Sequence, residues 1–592
     1  MAHFLGVGKS ISGKAWRSRL DHERDALAIA QRHDLPEILA RVLAGRGVGL
    51  DEVETFMRPT LRDLMPDPSV LVDMEAGATR IAEAIRRGER IAIIGDYDVD
   101  GMTSTSLLIR FLRQTCGDPI VHIPNRLEEG YGPSRLAVER LHAEGAAVLI
   151  TVDCGTMAHD VLAYAAELGL DTVVVDHHLA GETLPPAHAI INPNRLDDLS
   201  NLGHLAAVGV TLILVAAISR ILRNAGYFTP SRPAPDLLQW LDLVALGTVC
   251  DVVPLIGLNR AYVTQGLRVM GKRAAPGLAH LADVARLKRR PDCHAAGFAL
   301  GPRLNAAGRL GQAMLGVELL TTDDPSRAAR LAQELEILNR RRQEIELEAF
   351  EAATIEAEDH LERKPDLPII VVAGEDWHVG VLGLISSRLK ERFNRPAIAI
   401  GYRKGELLAT GSGRSVPGFD LGRIIHGAVA AGILVKGGGH AMAAGLTISA
   451  DRIDALREFL ESEAALGGQL SEAPELMIDG ALSAGAASMD LVDLLERAGP
   501  FGAGNPSPVF VFPNHRFAYG DLAGKDHVRC RLRATDGSEL KAIAFRSLGS
   551  PLGEMILSMR DRPVHVAGRL VVDEWNGGRS AQLLIDDAAI AD

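Results

Sequence analysis

Asp96, Asp98 and Asp100 alternate along Gly95-Asp96-Tyr97-Asp98-Val99-Asp100-Gly101. Three carboxylates this close repel one another when ionised, so they need a cation or raised pKa values. Related chemistry recurs at Asp153, at Asp176-His177-His178 and at Asp251. Carboxylates with imidazole and no thiolate suit Mn²⁺ or Mg²⁺ better than structural zinc. Two ions sharing carboxylates would sit about 3.5–4 Å apart, clamp a phosphoryl group and activate the attacking water. An EF-hand loop is the rival reading of Asp96-x-Asp98-x-Asp100-Gly101. It fails because position 12 is Leu107 rather than Glu, and a strand replaces the incoming helix. Helix capping accounts for one such carboxylate at a time, not for their recurrence.

The elements that must position these residues are legible around them. Residues 91–94 form an apolar run that reads as a buried strand, and a helix is expected from residue 107. Strands follow at 120–123, 147–152, 172–175 and 189–191, with helices at 135–144 and 159–168 between them. This alternation predicts a parallel sheet with helices on both faces. Asp98 and Asp100, Asp153, and Asp176-His177-His178 then lie at carboxyl ends of strands, on one edge of the sheet. Helices are expected at 205–222 and 237–248, the second delivering Asp251 just past its end.

Beyond this sheet, residues 327–362 are charged and free of Gly and Pro, and predict one rigid helix of about ten turns. A second α/β unit follows, and short alternating strands from about residue 470 predict a small OB-like β-barrel. The expected domains are a helical segment 1–70, a catalytic domain 71–265, a helical extension 266–325, the connecting helix 326–362, a second α/β domain 363–465 and the barrel 466–592. Residues 301–309, 411–415 and 437–440 read as Gly-rich loops, where backbone N–H groups and arginine can cradle phosphate. They offer Arg303, Asn305 and Arg309, then Arg414 and Ser415, then Gly438, Gly439 and His440. Trp377 could stack on a base or pack in a core. A basic run covers Arg286, Lys288, Arg289 and Arg290. Arg529, Arg531 and Arg533 alternate onto one sheet face.

Composition narrows the class. The chain has 592 residues, 47% hydrophobic, 23% charged and 4% aromatic, with net charge −13. That excludes a protein coated in basic surface but not local basic clefts. Five scattered cysteines with no C-x-x-C pair disfavour a zinc site and fit a reducing compartment. The N-terminus lacks a signal-like apolar core. No membrane span is expected, and the expected location is cytoplasmic.

The motifs also carry a resemblance. Asp176-His177-His178, with the 95–101 stretch upstream and Val152-Asp153-Cys154-Gly155 between, resembles the DHH phosphoesterase superfamily. Gly247-Thr248-Val249-Cys250-Asp251, Gly301-Pro302-Arg303-Leu304-Asn305-Ala306-Ala307-Gly308-Arg309, Gly411-x-Gly413-Arg414-Ser415 and Gly437-Gly438-Gly439-His440 resemble its RecJ family. The resemblance implies a DHH domain, a DHHA1-type domain and an OB-like barrel. It implies a metal-dependent exonuclease that degrades single-stranded DNA from the 5′ end, in DNA repair and recombination. Asp98, Asp100, Asp153, His177 and Asp251 correspond to metal ligands, with Asp100 and Asp153 bridging. Asp96 is a ligand or supporting base, and His178 contacts the scissile phosphate or leaving oxygen. Catalytic weight thus falls on His178, Asp98 and Asp153. Many relatives in the superfamily carry His two positions before Asp96. Ile94 stands there, so Asp96 or water must substitute. Cys250 reads as packing. Implied partners are single-stranded DNA, a single-strand-binding protein and a RecQ-type helicase, with the protein a monomer. The rival within the superfamily is a hydrolase of short oligonucleotides or cyclic dinucleotides, which lacks the C-terminal β module. The rival outside enzymes is a catalytically dead DNA-binding scaffold.

Overall fold

A computed structural model describes residues 3–466, 474–559, 562–573 and 578–591. The chain divides into two units, residues 66–251 with 266–471, and residues 1–65 with 252–265 and 472–592.

The first unit is built on the expected parallel sheet. Its strand order is Ile120–His122, Ile91–Gly95, Val148–Val152, Asp171–Val175, Ala189–Ile191. Helices cover both faces, which is why these strands are near-continuous Ile/Val/Leu runs rather than alternating ones. Ala137, Val138 and Leu141 pack with Ala92, Ile94 and Leu149. The Met74–Arg87 helix approaches through Gly77, where a Cβ would lie 2.9 Å from Ile191 Cδ1. The strand Ile91–Gly95 pairs on one side with Ile120–His122 and on the other with Val148–Val152. Strand order therefore reverses beside it, and ligands bind in open α/β sheets at the carboxyl ends of such a switch point. The register places Gly95, Val152, Val175 and Ile191 in one row. The next residue of each strand, Asp96, Asp153, Asp176 and Asn192, therefore leaves the sheet side by side.

The helix after the first strand spans Val99–Thr115, starting eight residues before the expected point. Asp98 caps it by accepting from the Gly101 N–H at 3.1 Å, so the carboxylate-bearing loop is shorter than the sequence implied. The connecting helix runs Pro325–Arg363, 39 residues, behind an Asp324 cap. Ala349, Ala353 and Ala357, four apart and on one face, pack against Ile370, Val372, Ile385 and Leu389 of the second α/β layer. That layer has strand order Lys436–His440, Ala443–Ser449, Leu408–Arg414, Ala397–Tyr402, Ile370–Glu375.

The three Gly-rich stretches expected as loops prove regular. Residues Gly301–Arg309 are an α-helix after a π-helical turn Ala295–Leu300. The other two lie in the strands Leu408–Arg414 and Lys436–His440. Their glycines serve close packing: a Cβ on Gly413 would lie 2.7 Å from Leu421 Cδ2, and one on Gly308 2.2 Å from Tyr97 O.

The second unit contains the closed barrel, formed by Phe510–Ala523, His527–Arg533, Glu539–Ala544, Ser580–Ile590 and Val564–Asp573. The N-terminal segment is not purely helical. Its strand Ala15–Ser18 pairs with Glu475–Ile478, Trp16 Nε1 donates to Asp587 Oδ2 at 2.9 Å, and Leu39, Leu43 and Val53 join Phe510 and Phe512 in one core. Residues 252–265 also belong here rather than with the parallel sheet, as Arg260 lies over the Phe56 ring at 3.6 Å and donates to Gly499 O. The expected start of the barrel domain at 466 abuts residues 467–473, outside the described residues.

Among the described residues, one helix, Ala207–Asn224, is by length and composition apolar enough to cross a membrane, with mean hydropathy 1.6. Thr211, Ser219, Arg220 and Arg223 interrupt it, so it is not an unbroken apolar run. It is 72% buried within the protein, where it packs against Met74–Arg87 and Val99–Thr115 as a core helix.

Candidate metal centre

Five elements converge on the switch point. Asp96 and Asp98 come from the turn after Ile91–Gly95, and Asp100 from the first turn of Val99–Thr115. Asp153 follows Val148–Val152 with φ +61°, a left-handed conformation that Asp tolerates better than most residues. His177 and His178 follow Asp171–Val175, and Asp251 ends the helix Leu241–Cys250. Ligand atoms within 4.8 Å of one another form three overlapping groups: Asp96, Asp98 and Asp153; Asp100, His177 and Asp251; and Asp153, His177 and His178. His177 Nε2 lies 3.3 Å from Asp153 Oδ1, 3.5 Å from Asp251 Oδ2 and 3.9 Å from Asp100 Oδ2.

The electrostatics of this cluster favour a cation. Burial, then the charge of neighbouring carboxylates, pushes Asp96 and Asp153 well above the ordinary carboxylate range. The same two causes push Asp100 up to about 7 and Asp251 up to about 9. Asp100 is held by the start of the Ala207–Asn224 helix, accepting from the N–H groups of Ala207 at 2.6 Å and Val208 at 3.0 Å. Burial and the adjacent His178 lower His177 to about 4. Its imidazole is therefore neutral, the form that ligates metal.

Asp96 Oδ1, Asp153 Oδ1, Asp251 Oδ2 and His177 Nε2 are buried and make no hydrogen bond. Buried polar atoms are nearly always partnered. Four such atoms in one cluster, all O or N, fit hard divalent ions. Ile94 is buried in an apolar cluster with Ala92 and Leu149, and Asp96 is the neighbouring carboxylate with a donor atom to spare.

His178 is a different kind of residue. Burial lowers its pKa, but the hydrogen bond and charge of Asp176 more than offset this and raise it to about 9. Its Nδ1 lies 2.8 Å from Asp176 Oδ1, and its side chain is 48% exposed. Asp176 also accepts from the N–H groups of His177, His178 and Thr156, and these contacts outweigh burial and hold it well below the usual range. Asp176 thus orients His178 and is not one of the clustered donors. Asn192 donates to the His178 carbonyl at 2.9 Å and Asn194 to the His177 carbonyl at 2.5 Å. The sequence reading missed this clamp, whose signal was Asn192-Pro193-Asn194 one step past a strand end. Tyr131 was also missed. Its hydroxyl donates to Asp153 O at 3.0 Å and lies 3.2 Å from His178 Nδ1.

The expected phosphate contacts divide. Arg309 is placed beside the centre: its helix packs on Tyr97, and its guanidinium donates to Gly380 O at 2.9 Å. Burial first, then the charges of Arg126, Arg342 and Arg414, lowers it to about 10. Arg414 is lowered likewise by burial and also feels Arg126. Arg126, over the Tyr97 ring at 5.0 Å, was not anticipated. Arginines held close together repel one another, and an anion between them relieves that repulsion.

Arg303 differs from expectation. It is tied to Glu336 at 2.7 Å and to Ala299 O at 2.6 Å. Ser415 is buried with its hydroxyl on Phe419 O, and Ser412 is the serine beside Arg414. Asn305 is half-buried in the Gly301–Arg309 helix. His440, Ala443 and Arg414 form one row across three strands, with Gly438 and Gly439 on the edge strand. Trp377 packs against the second α/β core, as the tight fit over Gly374 requires. Cys250 packs as expected, its thiol on Ala296 O. Arg529, Arg531 and Arg533 do share an exposed face, but ion pairs to Asp521 and Glu539 offset their charge.

Carboxylates and a histidine pair at the carboxyl edge of a parallel sheet, with a long helix leading to a smaller α/β layer, define a DHH phosphoesterase. Sequence models of the DHH family N-terminal domain, the DHHA1 domain and the RecJ OB domain match residues 90–248, 366–466 and 478–587. The single-stranded-DNA-specific exonuclease RecJ of Escherichia coli (strain K12) is 38% identical over 94% of this chain and 96% of its own. The crystal structure of RecJ in complex with Mn²⁺ from Thermus thermophilus superimposes with a TM-score of 0.79 at 28% identity, covering 97% of this chain and 79% of that one. The Mg²⁺ complex of that protein gives 0.75 at 27% identity, covering 98% and 78%. The chain belongs to the RecJ family.

Proposed function

We propose that this protein is a metal-dependent exonuclease that hydrolyses the phosphodiester bonds of single-stranded DNA in the 5′-to-3′ direction, in DNA repair and recombination. Its resident cofactors are Mn²⁺ or Mg²⁺, two ions at a time. The observation that carries this reading is the group of four unpartnered buried donor atoms at the switch point, beside mutually repelling arginines. Asp96, Asp98, Asp100, Asp153, His177 and Asp251 would hold the ions. Asp153 would serve both groups, because it clusters with Asp96 and Asp98 on one side and with His177 on the other. When bound, the ions supply an activated water and neutralise the attacked phosphate.

The chain's own groups do the rest. His178 stays protonated below about pH 9, so it can donate a hydrogen bond to a phosphate or leaving oxygen. Asp176 keeps that proton on the ring and fixes its direction. Arg309 and Arg414, with Arg126, grip phosphate. The Pro325–Arg363 helix joins the two α/β layers, and a passage between them that admits one strand and not a duplex would give the single-strand preference. In this reading the protein works as a monomer in the cytoplasm, on strands supplied with a single-strand-binding protein and a RecQ-type helicase.

The test is digestion of single strands labelled at the 5′ or the 3′ end, beside duplex, with Mn²⁺, Mg²⁺ or EDTA. The expected outcome is immediate release of 5′ label as a mononucleotide, shortening of the 3′-labelled strand, an untouched blunt duplex and no reaction in EDTA. Activity in EDTA would overturn the metal assignment, and early release of 3′ label would overturn the polarity.

A further inference from the structure

The basic run at residues 286–290 and the turn that follows it are unused by the site described above. Arg286, Lys288, Arg289 and Arg290 are exposed after the helix Pro276–Val284. The π-helical turn Ala295–Leu300 comes next and carries Phe298, which is 74% exposed. Phe111, Phe510, Phe512 and Phe517 are fully buried. A Phe left in water gives up the burial these others gain, and Phe298 is more exposed than Phe545 at 56%. π-turns occur often at functional positions. Phe298 is also braced. His294, four residues earlier and on the same face, stacks on it at 4.9 Å with 27° between the rings. The outer face of a stiff aromatic pair is thereby turned to solvent. The turn adjoins the metal centre, because Cys250 donates to Ala296 O at 3.5 Å and Cys250 immediately precedes Asp251. A Cβ on Gly301 would lie 2.4 Å from the Cys250 sulfur.

We propose that Phe298, braced by His294, is a stacking platform for one nucleobase of a bound single strand, and that Arg286, Lys288 and Arg290 contact the phosphates beside that base. Stacking on a π-face accepts any base, and basic groups tracking the backbone complete the usual recipe for sequence-tolerant single-strand binding. The subsite lies away from the scissile bond and grips strand that is not being cut. This rests on the nuclease reading above.

The experiment uses the full-length protein and an oligothymidine in Ca²⁺ with no Mn²⁺ or Mg²⁺. The strand carries an abasic residue, or 2-aminopurine, at one position at a time. In the wild-type protein, one position should show quenched 2-aminopurine and an abasic penalty of roughly ten-fold in Kd, within the range for one lost base–aromatic stack. Phe298→Ala should weaken binding of the intact strand by the same factor and abolish the abasic penalty at that position, while Phe298→Trp retains both. Replacing Arg286, Lys288 and Arg290 together by Gln should lower the slope of log K against log salt by about 2, at about 0.7 per phosphate. An abasic penalty that survives in Phe298→Ala would overturn the platform, and an unchanged salt slope would overturn the phosphate contacts. Failure of the wild-type protein to bind the strand at all would overturn the nuclease reading itself.

Discussion

At the scale of single residues, the two adjacent histidines separate into opposite roles. His177 is lowered to about 4 and offers a lone pair to a cation held by the carboxylate cluster, whereas His178 is raised to about 9 and offers a proton to a ligand. The difference is Asp176, which hydrogen-bonds His178 at 2.8 Å. Asp176→Asn should therefore leave Mn²⁺ binding nearly intact and cut the rate. General acid–base contributions run about 10²–10⁴-fold, so a fall of about 100-fold or more is expected. The alkaline limb of the pH–rate profile should also move down from about 9, because His178 loses the charge that holds its proton. Unchanged alkaline behaviour would remove His178 from the reaction. The acidic and histidine residues were legible in the sequence, because strand ends are visible as apolar runs and the residues just past them share an edge. The role of Asp176 was not legible, since ligand and orienting carboxylates are the same residue type. Only the hydrogen bonds to Asp176 separate them.

At the scale of elements, three helices meet at Asp100: its own, Val99–Thr115; Ala207–Asn224, whose first N–H groups hold it; and Leu241–Cys250. The last approaches through Gly247, where a Cβ would lie 2.3 Å from Thr103 Oγ1, 2.8 Å from Val208 Cγ1 and 2.9 Å from Asp100 Oδ1. Gly247→Ala should cost about 1–3 kcal/mol through overpacking. It should also weaken Mn²⁺ binding by about ten-fold or more, as loss of a ligand's supporting contact does. Calorimetric titration with Mn²⁺ reads the second effect. Normal affinity in a destabilised variant would show that this junction holds the fold but not the ligand. The same use of glycine explains why sequence and structure differ at 301–309, 411–415 and 437–440. Glycine favours turns and so predicts loops there, yet here it admits tight contact within a helix and two strands. Sequence alone cannot tell these uses apart, because the atoms that would collide with a Cβ come from distant segments. Arg303 illustrates the consequence: in a loop it would be free to reach phosphate, but in the helix it pairs with Glu336.

At the scale of the molecule, the metal centre is a liability to the fold until it is filled. Without ions, Asp100 and Asp251 have pKa values of about 7 and about 9, against about 4 for exposed carboxylates. The native state therefore binds protons that the unfolded state has released, and stability falls as pH rises toward those values. His178, raised to about 9, acts in the same direction above its ordinary value of about 6.5. His177, lowered to about 4, acts oppositely, but its contribution is complete by about 6.5 and flat beyond it. Between about pH 6.5 and 9 the signs therefore agree, and the metal-free protein should lose stability. Bound divalent ions reverse this, because they favour ionised carboxylates and neutral imidazole and release protons on binding. Melting curves in EDTA should show the transition of the unit that contains the site moving down by at least about 2 °C across that window, the size expected for a loss of about 1 kcal/mol. Mn²⁺ should raise it more at about pH 9 than at about pH 6.5. Calorimetry in two buffers of different ionisation enthalpy should detect proton release at neutral pH. A transition in EDTA that stays level across this window, or a Mn²⁺ shift independent of pH, would mean that the buried carboxylates are already charged and compensated without a metal. The centre would then have to be held by contacts other than the cation its geometry calls for.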